Sequence, residues 1–80
     1  MLKVNSVGKN QTELIVNETT VTVFFSYKTP VACFIKGKGY FKTRKNFSKT
    51  TTKHINKWLI GEKAQEKPQD FFDNLLNDIK

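Results

Sequence analysis

Residues 28–59 read Lys-Thr-Pro-Val-Ala-Cys-Phe-Ile-Lys-Gly-Lys-Gly-Tyr-Phe-Lys-Thr-Arg-Lys-Asn-Phe-Ser-Lys-Thr-Thr-Thr-Lys-His-Ile-Asn-Lys-Trp-Leu. The first half is β-rich and punctuated by glycine. Residues 31–36 and 39–45 make two short strands, and Gly37-Lys38 between them fits a two-residue turn with glycine first. The second half changes period. Thr51, His54, Ile55, Trp58 and Leu59 follow the i, i+3, i+4, i+7, i+8 spacing of a helix with one face on a core. Ser48, Thr50 and Thr51 can each cap its first turn, and Gly61 is the natural stop. A hairpin running into an amphipathic helix is therefore the centre of the fold.

Outward from that stretch, residues 19–27 carry the strongest strand signal. Val21, Val23, Phe25 and Tyr27 share one face, and Thr20, Thr22, Phe24 and Ser26 the other. Lys28-Thr29-Pro30 reads as the next turn, because proline cannot donate to a ladder. Upstream, Leu2 and Val4, then Leu14 and Val16, alternate with polar positions around Gly8-Lys9-Asn10, which suggests a first hairpin. Downstream, Glu62–Lys67 reads as a polar linker. Pro68 suits the first position of a second helix, with Asp70 near its positive end. The expected fold class is α+β: a small antiparallel meander of three to five strands, packed by one amphipathic helix, plus a short C-terminal helix. The expected division is a body over 1–61, a linker over 62–67 and an acidic amphipathic helix over 68–80.

Eighty residues enclose a single small core, which disfavours a deep active site with its own supporting shell. The formal charge of +7 is uneven. Residues 1–61 set eleven lysines and arginines against Glu13 and Glu18, whereas residues 62–80 set three lysines against five carboxylates. A basic body favours polyanionic partners. The first residues hold no apolar signal-like run, and no segment approaches the roughly 18 apolar residues that span a bilayer. A cytoplasmic protein without membrane attachment is the expectation. Cys33 is the only cysteine, so no disulfide within the chain and no multi-cysteine metal site can form.

The pattern of residues 23–32 (Val-Phe-Phe-Ser-Tyr-x-Thr-Pro-Val-Ala), then Gly39-Tyr40-x-x-Thr43, then Phe47-Ser48-x-Thr50-Thr51-x-x-His54-Ile55-Asn56, resembles a family of short phage and phage-derived proteins of unassigned function. The similarity spans about residues 21–59, and its Phe/Trp-Ser-x-Thr-Thr-x-x-His-Ile-Asn portion is the specific part. Phe47 stands where tryptophan is more usual. The resemblance implies a viral or mobile-element origin and a β-rich unit followed by a helix; it implies no activity.

The basic block has two expected contact surfaces for nucleic acid. Lys36, Lys38, Lys42 and Arg44 on the hairpin, with Tyr40 among them, suit a ribbon laid on a duplex or a platform for single-stranded bases. Lys49, Lys53 and Lys57 fall four apart on the helix, and with Asn56 they form a ridge. Ser48-Lys49-Thr50-Thr51-Thr52-Lys53 at the helix start forms a candidate anion site, since free amides, hydroxyls and two cations converge there. Arg44 is the only arginine, so bidentate guanine readout has little material; phosphate-dominated, weakly specific binding of DNA or RNA fits better. The plain alternative is a solvated basic surface.

Phe71, Phe72, Leu75, Leu76 and Ile79 make the apolar stripe of the C-terminal helix. At about a dozen residues that helix is marginal alone, so it must dock on its own sheet, on a twin copy or on a partner. Two further functions follow as alternatives: a phage effector that binds and modulates a host protein, and a homo-oligomeric structural part. Enzyme readings fail on inventory. No carboxylate lies between residues 19 and 61, no nucleophile–base pair is evident, and Lys36-Gly-Lys-Gly39 is too short for a phosphate loop. His54 has no second histidine or cysteine pair with which to bind metal, so it reads as a packed, hydrogen-bonded residue. No cofactor is expected.

Overall fold

A computed structural model describes residues 2–16 and 21–78. The chain runs β1 (Leu2–Gly8), β2 (Gln11–Val16), β3 (Val21–Ser26), β4 (Thr29–Ile35), β5 (Gly39–Thr43), α1 (Lys49–Leu59), β6 (Ala64–Lys67) and α2 (Gln69–Asp78). All six strands lie in one sheet, in sequence order. The first five pair antiparallel as a meander; β6 joins the far edge parallel to β5. The fold is thus α+β as expected, with one strand more than the upper expectation. No helix among the described residues is long and apolar enough to cross a membrane.

The extra strand corrects the linker. Residues 64–67 are polar, yet they pair Tyr40 with Ala64 through Thr43 with Lys67. Parallel strands need a crossover, and α1 supplies it. Residues 64–67 are accordingly part of the sheet, and α2 packs on the same sheet through Phe72.

Two turns also differ from the reading above. Tyr27 leaves β3 at φ 59° and Lys28 completes the reversal, so Thr29 and Pro30 already belong to β4. A bulge between Phe24 and Phe25 makes this possible: Phe24 faces Ala32 but Phe25 faces Pro30, leaving Val31 as the extra residue. The bulge aims Val31 and Ala32 into the same cluster. The β4–β5 turn takes three residues, Lys36 to Lys38, with Lys38 N–H donating to the Ile35 carbonyl at 2.9 Å. Gly37 and Gly39 both adopt positive φ there.

Strand alternation splits the core into two layers. On one face Phe24, Val31 and Ala32 meet Ile55 and Leu59 of α1, with Tyr40, Trp58 and Ala64 at the margin. On the other, Val23, Cys33 and Phe41 meet Phe72 of α2, flanked by Leu14, Val21, Phe25, Ile35, Phe71 and Leu75. An aromatic seam knits the second layer: Phe71 lies 5.5 Å from Phe41 and 5.1 Å from Phe72, centroid to centroid. Of the three docking places open to the C-terminal helix, it takes its own sheet. Phe72 is fully buried within the chain, which corrects its reading as a contact for a second copy. Phe71 and Leu75 are half-buried against the same cluster; the Leu76 side chain and Ile79 lie outside the described residues. Gln69 anchors the start of α2. It accepts from Thr43 Oγ1 at 2.7 Å and donates to the Pro30 carbonyl at 2.7 Å.

Candidate nucleic-acid interface

The start of α1 is fastened by its own hydroxyls, of which Thr51 alone is buried. Ser48, extended at φ −83° and ψ 165°, caps the helix by accepting from Thr51 N–H at 3.2 Å. Thr51 is buried, and its own hydroxyl accepts from Ser26 Oγ at 3.2 Å and Ser48 Oγ at 3.3 Å. Ser26 also lies 2.8 Å from His54 Nδ1. The Tyr27 ring stands 5.9 Å from the imidazole. His54 is therefore packed and hydrogen-bonded, as expected. Thr52 bonds back to the Ser48 carbonyl at 3.3 Å. The hydroxyl cluster is thus explained largely by capping and docking: it fastens α1 to β3. Exposed at this helix start are Ser48, Lys49, Thr50, Thr52 and Lys53, with no acidic residue in the first turn to offset the helix dipole.

The ridge is real as a surface. Lys49, Lys53 and Lys57 are all exposed, as is Asn56 beside them. Residues four apart on a helix stack one above the other with Cβ atoms about 5–6 Å apart. Thr51, Ile55 and Leu59 occupy the opposite, buried side, so docking of α1 is what turns the lysines outward. Arg44 and Lys45 are exposed in the connection leading into the helix. Lys45 Nζ sits 5.2 Å above the exposed Phe47 ring. Five cations thus follow one another along the connection and the outer side of α1.

The hairpin strip does not hold together in the same way. Lys36 and Lys38 lie in the β4–β5 turn, at the opposite end of β5 from Arg44. With strand rise about 3.3 Å per residue, the length of β5 separates them. Lys42 is half-buried on the side of α1, and Glu66 is its neighbour across the β5–β6 pair. Tyr40 is also half-buried, 4.8 Å from the Phe34 ring and 5.9 Å edge-on from Trp58. It is not the open stacking platform that its place among lysines suggested.

The sequence reading missed a cleft of about 460 Å³ between α1 and one face of the sheet, lined from β1 through β5. Phe34, Tyr40 and Trp58 line it, with Glu13 on its wall and Lys57 and Ile60 at its margin. Trp58 Nε1 donates to Glu13 Oε1 at 2.8 Å, and the buried Phe24 ring stacks on the indole at 5.1 Å and 14°. No local pattern links Glu13 to Trp58, since 45 residues separate them. The one available signal was Ile60. An apolar residue just before a glycine stop belongs either under the helix or on a contact surface, and here it is 85% exposed.

A family model described as a family of unknown function (DUF8033) matches residues 2–74. Among curated proteins and among solved structures, none matches the chain.

Proposed function

The chain belongs to DUF8033, a family of unknown function, and from that premise we propose that it is a small nucleic-acid-binding protein, not an enzyme, that holds phosphates along the outer side of α1. One observation carries this reading. Arg44, Lys45, Lys49, Lys53 and Lys57 form an exposed succession of cations, in a stretch from residue 19 to 61 without a single carboxylate. Lysines at one-turn spacing offer point charges to successive phosphates. A lone arginine favours positioning over base readout, so binding is weakly specific. The motif over residues 23–56 supports a phage or mobile-element origin, with action in the cytoplasm of the host.

Counterion release supplies the test. Engaging about four phosphates predicts that log affinity falls with log salt at a slope of roughly −3 to −4. Lys53→Glu with Lys57→Glu should abolish binding at about 50 mM salt. Both positions are exposed, so the fold should survive. A wild-type protein that ignores mixed-sequence DNA and RNA at that salt refutes the reading.

A second reading, a module that binds a host protein, has one observation in its favour. β1 is an edge strand with Val4 67% exposed and Val7 39% exposed, and an open edge can accept a partner strand. A homo-oligomer through α2 loses its main support, because Phe72 is spent inside the chain.

A further inference from the structure

The cleft beside α1 shares Lys57 with the cationic ridge. Its lining differs in character: three aromatic rings and the aliphatic Val7 and Ile15, with Gln11, Thr22 and a single carboxylate, Glu13, as its other polar groups. Glu13 uses one oxygen on the Trp58 indole N–H, and a carboxylate retains further lone pairs for another donor. A carboxylate repels a phosphate, so the anionic part of a ligand stays on the ridge. The neutral, flat, donor-bearing part fits the cleft. A nucleobase has those properties, and its exocyclic amine is the group that an acidic side chain accepts from. In a duplex that base is stacked and paired; in a single strand it is free to turn inward.

Ile60 adds a second, independent observation. It adopts φ 50° and ψ 49° at the helix end, a region that β-branched residues avoid. Held there, it stands exposed at the cleft margin rather than in the core. Strain kept at a ligand's edge is a recurrent mark of function.

We propose that this cleft receives an unstacked, amine-bearing base of a single-stranded nucleic acid whose backbone lies on the α1 ridge. The inference rests on the ridge reading and narrows its ligand to single strands, with cytosine preferred over thymine.

Trp58 is the only tryptophan, so its emission reports the cleft directly. The full chain is titrated with a short oligo(dC), an oligo(dT) of equal length and a duplex of matched phosphate count, at about 50 mM salt. The expected result is about fivefold tighter binding of oligo(dC) than of the duplex, with a change in Trp58 emission that the duplex does not cause. Oligo(dT) should fall between them. Ile60→Asn, at an exposed position that leaves the core intact, should erase the advantage of oligo(dC). Equal affinities with unchanged emission, all abolished by Lys53→Glu with Lys57→Glu, overturn the cleft and leave the ridge standing. No binding of any probe overturns both.

Discussion

Trp58 Nε1 donates to Glu13 Oε1 at 2.8 Å, tying the last turn of α1 to β2. It is a charge-assisted bond between the only tryptophan and one of just two carboxylates in the first 61 residues. With Phe24 stacked on the indole at 5.1 Å, it gives α1 a polar anchor beside its apolar stripe. Both residues are half-buried, so solvent screens part of the bond. Glu13→Ala should cost about 1 kcal/mol and lower the melting temperature by roughly 4–8 °C. The indole, freed from its partner, should shift its emission. An unchanged melting curve removes this bond from the account of stability.

Ile60 gives a substitution with the opposite sign. A left-handed conformation costs an L-residue about 1–2 kcal/mol, and asparagine tolerates it better. The Ile60 side chain is 85% exposed and gives up little burial on replacement. Ile60→Asn should therefore stabilise the fold by about 1 kcal/mol, read as a higher denaturant midpoint with an unchanged slope. A lower midpoint means that the isoleucine makes contacts worth more than its strain.

Phe72 separates docking within the chain from docking on a second copy. It fills the centre of the second layer at 0% exposure, against Val23, Cys33 and Phe41. Phe72→Ala should cost about 3–5 kcal/mol, much of the stability of a domain this size. That loss should not depend on protein concentration. A loss that vanishes on dilution, or a wild-type melting temperature that climbs with concentration, would falsify the intrachain assignment.

Cys33 lies in the same layer, and burial pushes its thiol from the ordinary 9.0 up to about 12. The thiolate is the disfavoured form, so folding holds the proton on. This contribution is complete below about pH 9, and it is lost as pH rises from there toward 12. Folding stability should then fall by up to about 1.4 kcal/mol per pH unit in that window. Lysines titrate there too, so the useful quantity is the difference from Cys33→Val. Parallel curves for the two proteins show that Cys33 is not held as a buried thiol. At neutral pH a thiol reagent should modify Cys33 only after unfolding.

Where side-chain period carried the information, the sequence was legible. The Val21 to Ser26 alternation sorts β3 correctly onto two faces, and the Thr51, Ile55 and Leu59 stripe with the Ser48 cap locates α1. Residues 64–67 were illegible because Ala-Gln-Glu-Lys has no strand preference of its own. Main-chain bonds to β5 and the return of the chain through α1 make it a strand, and neither is written in side chains. Pro30 misled for a related reason: proline reads as a turn, and only the bulge opposite Phe25 shows how a strand absorbs it. Among the site residues, the helix lysines kept their sequence order as a surface because one turn of helix maps i to i+4. The hairpin cations did not, because a strand sends Lys42 to one face and a turn carries Lys36 and Lys38 to the far end.

The placement of β6 and α2 bears on how the protein comes into being. The sheet face formed by Val23, Cys33 and Phe41 receives its cover from Phe72, near the end of the described chain. A chain ordered only through α1 presents that apolar face, and the unpaired edge of β5 as well, to solvent. Completion of the second layer must then wait for Phe72 and its neighbours on α2. Apolar surface and strand edges exposed in this way are prone to aggregate.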